Sequence, residues 1–288
     1  MKPAQFEYFN PKTVDEAVKL IDQYAEDDGK ILAGGQSLVP LMNFRLARPK
    51  WLIDINGIEA LDYIKEDGDW LAIGAITRER DVERSAVMKD HCPLLQDVTR
   101  WIGHVTIRNR GTVGGSIAHN DPTAEYPLAA VLLDAKIKAK GPNGERTIPA
   151  GDFFQMYLTT SLEPNEIVTE VRFPKMAPGT GWAFQEFARR HGDFAIVESG
   201  VVVSLDNGTV KDARIAIGGA GPVAFRATDG EEALKGQKLT DEVIEQAAEK
   251  AAAMTEPESD IHGSAEYRTH LAKVMTRRAL KEAQGRAR

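Results

Sequence analysis

Two segments with paired glycines, Ala33-Gly34-Gly35-Gln36-Ser37 and Thr112-Val113-Gly114-Gly115-Ser116, constrain this chain more than any other feature. Each follows a stretch that reads as strand or extended. A glycine lets a backbone N–H approach a ligand with no Cβ in the way, and it tolerates positive φ. Successive N–H groups in such turns form anion-binding concavities. Two of them, far apart in sequence, suit gripping one diphosphate from both sides, which fits a dinucleotide better than a lone phosphate. Taken alone, Gly34-Gly35 also fits an ordinary turn. The second segment is more specific. From Thr106 to Pro122 it crowds glycines, hydroxyls, amides, His119 and Asp121 into a stretch with little apolar content. Such a stretch buries poorly unless a polar ligand satisfies it, and the bland alternative is a long surface loop.

Around these segments the local signals are clear. Thr13-Val14-Asp15-Glu16 is a capping box, followed by Val14, Ala17, Val18, Leu20, Ile21 and Tyr24 at helical spacing. Ile31-Leu32-Ala33 is a short strand, Leu38 to Leu46 a short helix, and Trp51 to Ile55 a second strand. Trp70 to Gly74 is another strand, Val98 to Val105 a helix, and Ala129 to Leu133 an apolar run. Residues 134 to 149 form a hairpin turning at Gly141-Pro142-Asn143-Gly144, and Ile167 to Phe173 is a strand stopped by Pro174. Met176 to Gly181 is the best linker. Beyond it lie β-rich segments at Trp182 to Arg189, Ala195 to Leu205 and Val210 to Ile217, with Asn207-Gly208 as a hairpin turn. Helices then run over Thr240 to Met254 and Ala265 to Ala283.

Several functions are disfavoured. A net charge of −7 argues against nucleic acid as a general partner. No apolar run is long enough to span a membrane, and the segment from Met1 to Tyr8 lacks the apolar core of a signal peptide, so the expectation is cytoplasmic. The single cysteine, Cys92, excludes an internal disulfide and any cluster held by several thiolates of this chain; it reads as a small buried apolar residue. His104 and His119 have no neighbouring ligand set, which disfavours zinc. There is no G-x-G-x-x-G, no P-loop, no G-x-S-x-G elbow and no paired carboxylates. The chain therefore presents no catalytic residue and no metal site of its own, and its chemistry must come from a cofactor.

Three stretches together carry a resemblance: Ala33-Gly34-Gly35-Gln36-Ser37-Leu38, Thr106 through Ser116, and Gly192-Asp193-Phe194-Ala195. With them, essentially the whole chain resembles the FAD-binding medium subunit of molybdenum hydroxylases, of the carbon monoxide dehydrogenase and xanthine dehydrogenase type. The resemblance implies an α+β fold: a two-subdomain FAD-binding region of the PCMH (vanillyl-alcohol oxidase-like) type over 1–176, divided near residue 56, then a smaller α+β domain over 177–288. It implies non-covalent FAD. The cofactor contacts it implies are Leu32, Ala33, Gly34, Gly35, Gln36, Ser37 and Leu38 in the first segment, and Ile107, Gly111, Thr112, Val113, Gly114, Gly115 and Ser116 in the second. Asp121 would hydrogen-bond a polar part of the cofactor, Ile167 and Gln185 would line the site, and Phe194 would lie near the flavin ring. The chain departs from relatives in Ser116, where Asn is frequent, in Gln185, where Lys occurs, and in Phe194, where Tyr occurs. Cys92 alone also rules out the extra iron–sulfur cluster of one branch.

The function implied is electron transfer. A large subunit carrying a molybdenum pterin cofactor would hydroxylate the substrate, a small subunit with two [2Fe–2S] clusters would carry the electrons, and this chain's FAD would pass them on, within a dimer of heterotrimers. A free-standing flavin oxidase of the same fold and a scaffold that has lost FAD are the alternatives. The organic substrate and the electron acceptor are not encoded here.

Overall fold

The computed structural model describes all 288 residues. Thr13 opens the first helix as the sequence predicts: its side chain accepts from the Glu16 N–H, and Glu16 reaches back to the Thr13 N–H. The amino-terminal layer is β1 (Glu7–Phe9), α1 (Val14–Tyr24), β2 (Gly29–Leu32), α2 (Leu38–Asn43) and β3 (Trp51–Asp54). Its strands form a parallel sheet in the order β1-β3-β2, which leaves β2 as an edge. The apolar stripe of α1 (Ala17, Val18, Ile21) packs on Ile53, Ile55 and Ile58.

The middle layer begins with β4 (Ile64–Asp67) and β5 (Trp70–Gly74). Six helices follow: α3 (Glu79–Arg84), α4 (Ala86–His91), α5 (Pro93–Thr99), α6 (Val105–Arg108), α7 (Val113–His119) and α8 (Glu125–Leu132). Then come β6 (Lys136–Gly141), β7 (Gly144–Pro149), α9 (Ala150–Phe153), the small hairpin β8 (Phe154–Met156) and β9 (Thr159–Thr160), and β10 (Ile167–Pro174). The main sheet is antiparallel, in the order β4-β5-β10-β6-β7. The predicted hairpin pairs from Lys136↔Pro149 to Gly141↔Gly144. The run Ala129 to Leu133 lies in and just past α8, which is buried from Tyr126 through Leu132. The helix predicted over Val98 to Val105 does not form as one piece. Gly103 takes φ +47 against the Ile107 side chain, so α5 stops at Thr99 and the chain turns before α6.

The last layer is an antiparallel sheet, β11 (Gly181–Phe187), β12 (Val197–Asp206), β13 (Thr209–Gly218) and β14 (Phe225–Arg226), in that order. Asn207 and Gly208 turn the central hairpin at φ 50 and 79, as the Asn-Gly pair predicts. Helices α10 (Thr228–Leu234), α11 (Asp241–Ala253) and α12 (Ala265–Arg286) cover one face. The other face joins the middle layer: Phe184 and Ala216 belong to the same core as α8, and Gly200 lies beneath Leu128 and Leu132. The linker is held by the end of α12. The Arg288 N–H donates to the Gly179 carbonyl at 3.0 Å, and the Arg286 guanidinium lies 3.8 Å from the Trp182 ring centre. No helix is long and apolar enough to cross a membrane.

Candidate functional site

The edge strand β2 ends at Leu32, and the chain turns through Gly35 at φ +74 before entering α2 at Leu38. Across this turn the backbone N–H groups of Ala33, Gly34, Gly35, Gln36 and Ser37 find no acceptor in the protein. Backbone donors in folded chains are nearly always paired, so five successive free ones form a receptor for anionic oxygens. The turn is pinned from behind. Asn56 Nδ2 donates to the Ala33 carbonyl at 2.6 Å, Arg78 Nη2 donates to Asn56 Oδ1 at 2.7 Å, and Arg78 Nη1 donates to the Arg110 carbonyl at 2.5 Å. Gln36 closes the loop by donating to the Gly34 carbonyl.

The second glycine segment reaches the same place but in another form. It is not a turn with free donors; it is the start of α7, capped by Thr112, whose side chain accepts from the Gly115 N–H at 3.2 Å. Val113, Gly114 and Ser116 donate to Thr77, Ala75 and Thr112 carbonyls. Its glycines serve packing. A Cβ on Gly114 would sit 2.6 Å from Ala75 Cβ, and one on Gly115 would sit 2.6 Å from Thr112 Oγ1 and 3.5 Å from Ala33 Cβ. Gly34 in turn presses on this segment, with its Cβ position 2.3 Å from the Arg110 carbonyl oxygen and 2.9 Å from Gly111 Cα. The two segments therefore touch, with the first supplying the donors and the second the floor. Ser116, half-buried, is the hydroxyl of this floor that the protein leaves unbonded.

The other residues named from the sequence divide. Asp121 is half-buried beyond α7, and its Oδ1 accepts from the Thr123 N–H (2.9 Å) and hydroxyl (2.7 Å), so it starts a turn while Oδ2 stays free. Burial holds the neighbouring His119 below its ordinary pKa, which favours the neutral ring. Ile107 packs on Gly103, and Gly192 at φ +87 packs on the Gly103 carbonyl, which brings the 188–196 loop beside α6. Phe194 stands out from that loop at 71% exposure, a free aromatic face. Ile167 does not line an open surface: it is 2% exposed, in the core below Ala33. Gln185 is turned away altogether, donating to Glu282 Oε2 of α12 at 2.6 Å. The alternation along β11 decides this, because Ala183 and Gln185 face the carboxy-terminal helices while Phe184 faces the middle layer. Cys92 is fully buried and its thiol is pushed up to about 12 by burial, as a packing residue should be.

Sequence reasoning missed a set of buried carboxyls. Glu186 of β11 and Glu198 of β12 are direct cross-strand partners on the face toward the middle layer. Burial first, then Glu125, raises Glu186 to about 9; burial and the same neighbours hold Glu198 far above the carboxylate range. Glu125 rises to about 7, and Glu79, against Gly111, to about 8, both through burial. No three of the His, Cys, Asp and Glu side chains are arranged to hold a metal. The arrangement offers an anion cradle, an aromatic face and a set of buried carboxyls, but no nucleophile paired with a base.

Comparison with known proteins decides the family. The FAD-binding domain of molybdopterin dehydrogenases matches residues 4–176, and the carboxy-terminal domain of CO dehydrogenase flavoproteins matches residues 182–283. The chain belongs to the FAD subunits of the molybdopterin dehydrogenases. This FAD subunit is 42% identical to the carbon monoxide dehydrogenase medium chain of Hydrogenophaga pseudoflava, over 99% of both chains. It is 41% identical to the alpha subunit of the 6-hydroxypseudooxynicotine dehydrogenase complex of Paenarthrobacter nicotinovorans, over 100% of this chain and 97% of that one. It superposes on the solved carbon monoxide dehydrogenase from Hydrogenophaga pseudoflava that lacks the Mo-pyranopterin moiety with a TM-score of 0.98 at 43% identity, each chain wholly covered. FAD is thus the cofactor of this oxidoreductase subunit, and the cradle fits it: five free N–H donors are the chemistry that a diphosphate needs.

Proposed function

We propose that this FAD subunit carries electrons between an iron–sulfur partner and an external acceptor within a heterotrimeric molybdenum hydroxylase of the cytoplasm. The FAD is held without a covalent bond, its diphosphate on the N–H groups of Ala33 through Ser37 and its ring near Phe194. The chain divides functionally into a FAD-binding region over 1–176 and a second domain over 177–288. A large subunit with a molybdenum pterin and a small subunit with two [2Fe–2S] clusters complete the unit, which pairs into a dimer of heterotrimers.

The observation that carries this reading is the donor-rich turn, where five successive backbone N–H groups have no acceptor in the protein. Bound FAD supplies the exchange of one and two electrons. The chain's own residues orient it: Asn56 and Arg78 fix the turn, Gly111 through Ser116 support it, and the Asp121 carboxylate offers Oδ2 as an acceptor. The test is reconstitution. The flavin-loaded chain alone, offered aldehydes, N-heterocycles and hydroxy compounds, should leave its flavin oxidised, yet pass electrons to an artificial acceptor once reduced chemically. Substrate oxidation should return when molybdenum and iron–sulfur subunits are added. Bleaching by an organic substrate without partners would instead make this a free-standing flavin oxidase. Release of FMN, or of no flavin, on denaturation would remove the cofactor assignment itself.

A further inference from the structure

The Glu186–Glu198 row has a function to explain, because burying it is unfavourable. The two strands pair Glu186↔Glu198, and the row continues as Glu198↔Gly218 into β13. A Cβ on Gly218 would lie 2.3 Å from Glu198 Oε1, so the missing side chain makes the room that this carboxyl fills. Glu198 is 0% exposed and Glu186 8%, and none of their four oxygens has a hydrogen-bond partner. The groups that face them are also acids: Glu125 at the start of α8 and Asp121 in the segment before it, with Glu79 and Arg108 behind Glu125. Behind the sheet, Gln185 is engaged with Glu282 and Ser199 with Thr276. Like charges set opposite on a sheet repel, and an unpaired carboxylate in an apolar interior is strongly unfavourable, so the row rests as carboxylic acids.

Its position is as specific as its charge state. The 188–196 loop, which carries Phe194, leaves the sheet one residue beyond the row on each strand. Its β13 end is tied to the Asp121 segment, where the Gly219 N–H donates to the Pro122 carbonyl at 2.8 Å. The acids thus lie between the root of the Phe194 loop and the end of α7, the two elements assigned above to the flavin.

We propose that Glu186 and Glu198, linked outward through half-buried Glu125, are the internal proton store for flavin reduction in this subunit. The inference rests on the FAD reading above. Two electrons enter from the iron–sulfur donor. One carboxylic O–H bond breaks, one N–H bond forms on the ring, and a single carboxylate is left beside its still protonated neighbour. Solvent then returns one proton by way of Glu125. Flavin and store together take up two electrons and one proton.

The test is anaerobic stopped-flow reduction of the FAD-loaded chain by reduced methyl viologen, whose one-electron oxidation releases no proton, in weak buffer containing an indicator dye. In the wild type the flavin should bleach first, and proton uptake from the bulk should follow with a resolved lag. In Glu186→Gln/Glu198→Gln, which keeps shape and neutrality but stores no proton, the lag should vanish. Glu186→Asp should keep it. Flavin content and absorption spectrum, measured first, report whether FAD is bound, so failure of the cofactor reading appears separately. A pair serving packing alone would change thermal stability in the double variant and leave the lag untouched. That outcome, or a wild type that takes up its proton in step with bleaching, overturns the proposal.

Discussion

Replacing Glu186 by glutamine should stabilise this protein, and by more as the pH rises. The carboxyl of Glu186 stands at about 9 in the folded chain against an ordinary value of 4.5. Between these values the folded state holds a proton that the unfolded chain has released. The folded state therefore binds more protons, and stability falls with increasing pH through this window. At pH 7 the unfolded chain gains about 2.5 pH units of ionisation that the folded one forgoes, worth about 3 kcal/mol at 1.36 kcal/mol per unit. Glutamine has no proton to lose, so Glu186→Gln removes this penalty while filling the same space. Below pH 4.5 the two proteins should unfold alike. At pH 7 the variant should unfold about 6–12 °C higher, at the 2–4 °C per kcal/mol of domains of somewhat smaller size. Calorimetry or circular dichroism at pH 5, 7 and 8.5 reads the effect. Parallel pH profiles for wild type and variant would refute the argument, because Glu186 would then be ionised, or equally protonated, in both states.

Gly35→Val should abolish FAD retention, since φ +74 is strained for a β-branched residue and the turn of free N–H groups would be lost; released flavin per chain is the measure. Gly34→Val should also lower the thermal midpoint, because the new side chain meets the Arg110 carbonyl oxygen rather than open space. Asp121→Ala should weaken FAD binding roughly ten- to hundredfold, the worth of about 1.5–3 kcal/mol for a hydrogen bond to a charged group, as read by fluorescence titration; an unchanged Kd would leave Asp121 only its bonds to Thr123. Arg268→Met should cost at least about 2 kcal/mol in urea unfolding, because the buried guanidinium serves the Ile196 and Gly219 carbonyls at 2.6 and 3.0 Å. Its partner Asp260 is held down to about 2 from an ordinary 3.8, first by the Arg268 hydrogen bond, so the pair's contribution should be full above pH 3.8 and be lost as the pH falls from there through about 2.

The first glycine turn, the capping box, the hairpins at Gly141–Gly144 and Asn207-Gly208 and the longer strands are legible in the sequence because each is decided within a few residues. The second glycine segment is not. Glycines are poor helix formers, so Thr112-Val113-Gly114-Gly115 reads as a turn. It becomes a helix start only because Thr77 and Ala75 take two of its N–H groups and Thr112 a third. Gln185 illustrates a second limit. A strand's alternation is visible in sequence, but which face meets the cofactor side depends on the sheet that packs behind it, and here α12 takes the odd positions. The acid row is hidden for a related reason. Glu186 and Glu198 are ordinary single glutamates in Phe184-Gln185-Glu186-Phe187 and Val197-Glu198-Ser199-Gly200, and only the register of β11 against β12 sets them side by side.

The grip of α12 on the linker bears on how such a subunit conducts. Within the Met176–Gly181 linker the Gly179 carbonyl accepts from the Arg288 N–H, and a Cβ on Gly181 would overlap the Ala283 carbonyl oxygen at 2.1 Å. Tunnelling between redox centres depends steeply on separation. In this chain one helix, α12, holds the linker at its end and, through Arg268, the Ile196 carbonyl at the root of the Phe194 loop at 2.6 Å. Substitutions along α12 would therefore be felt at the Phe194 loop and, under the electron-transfer role proposed above, as a change in transfer rate.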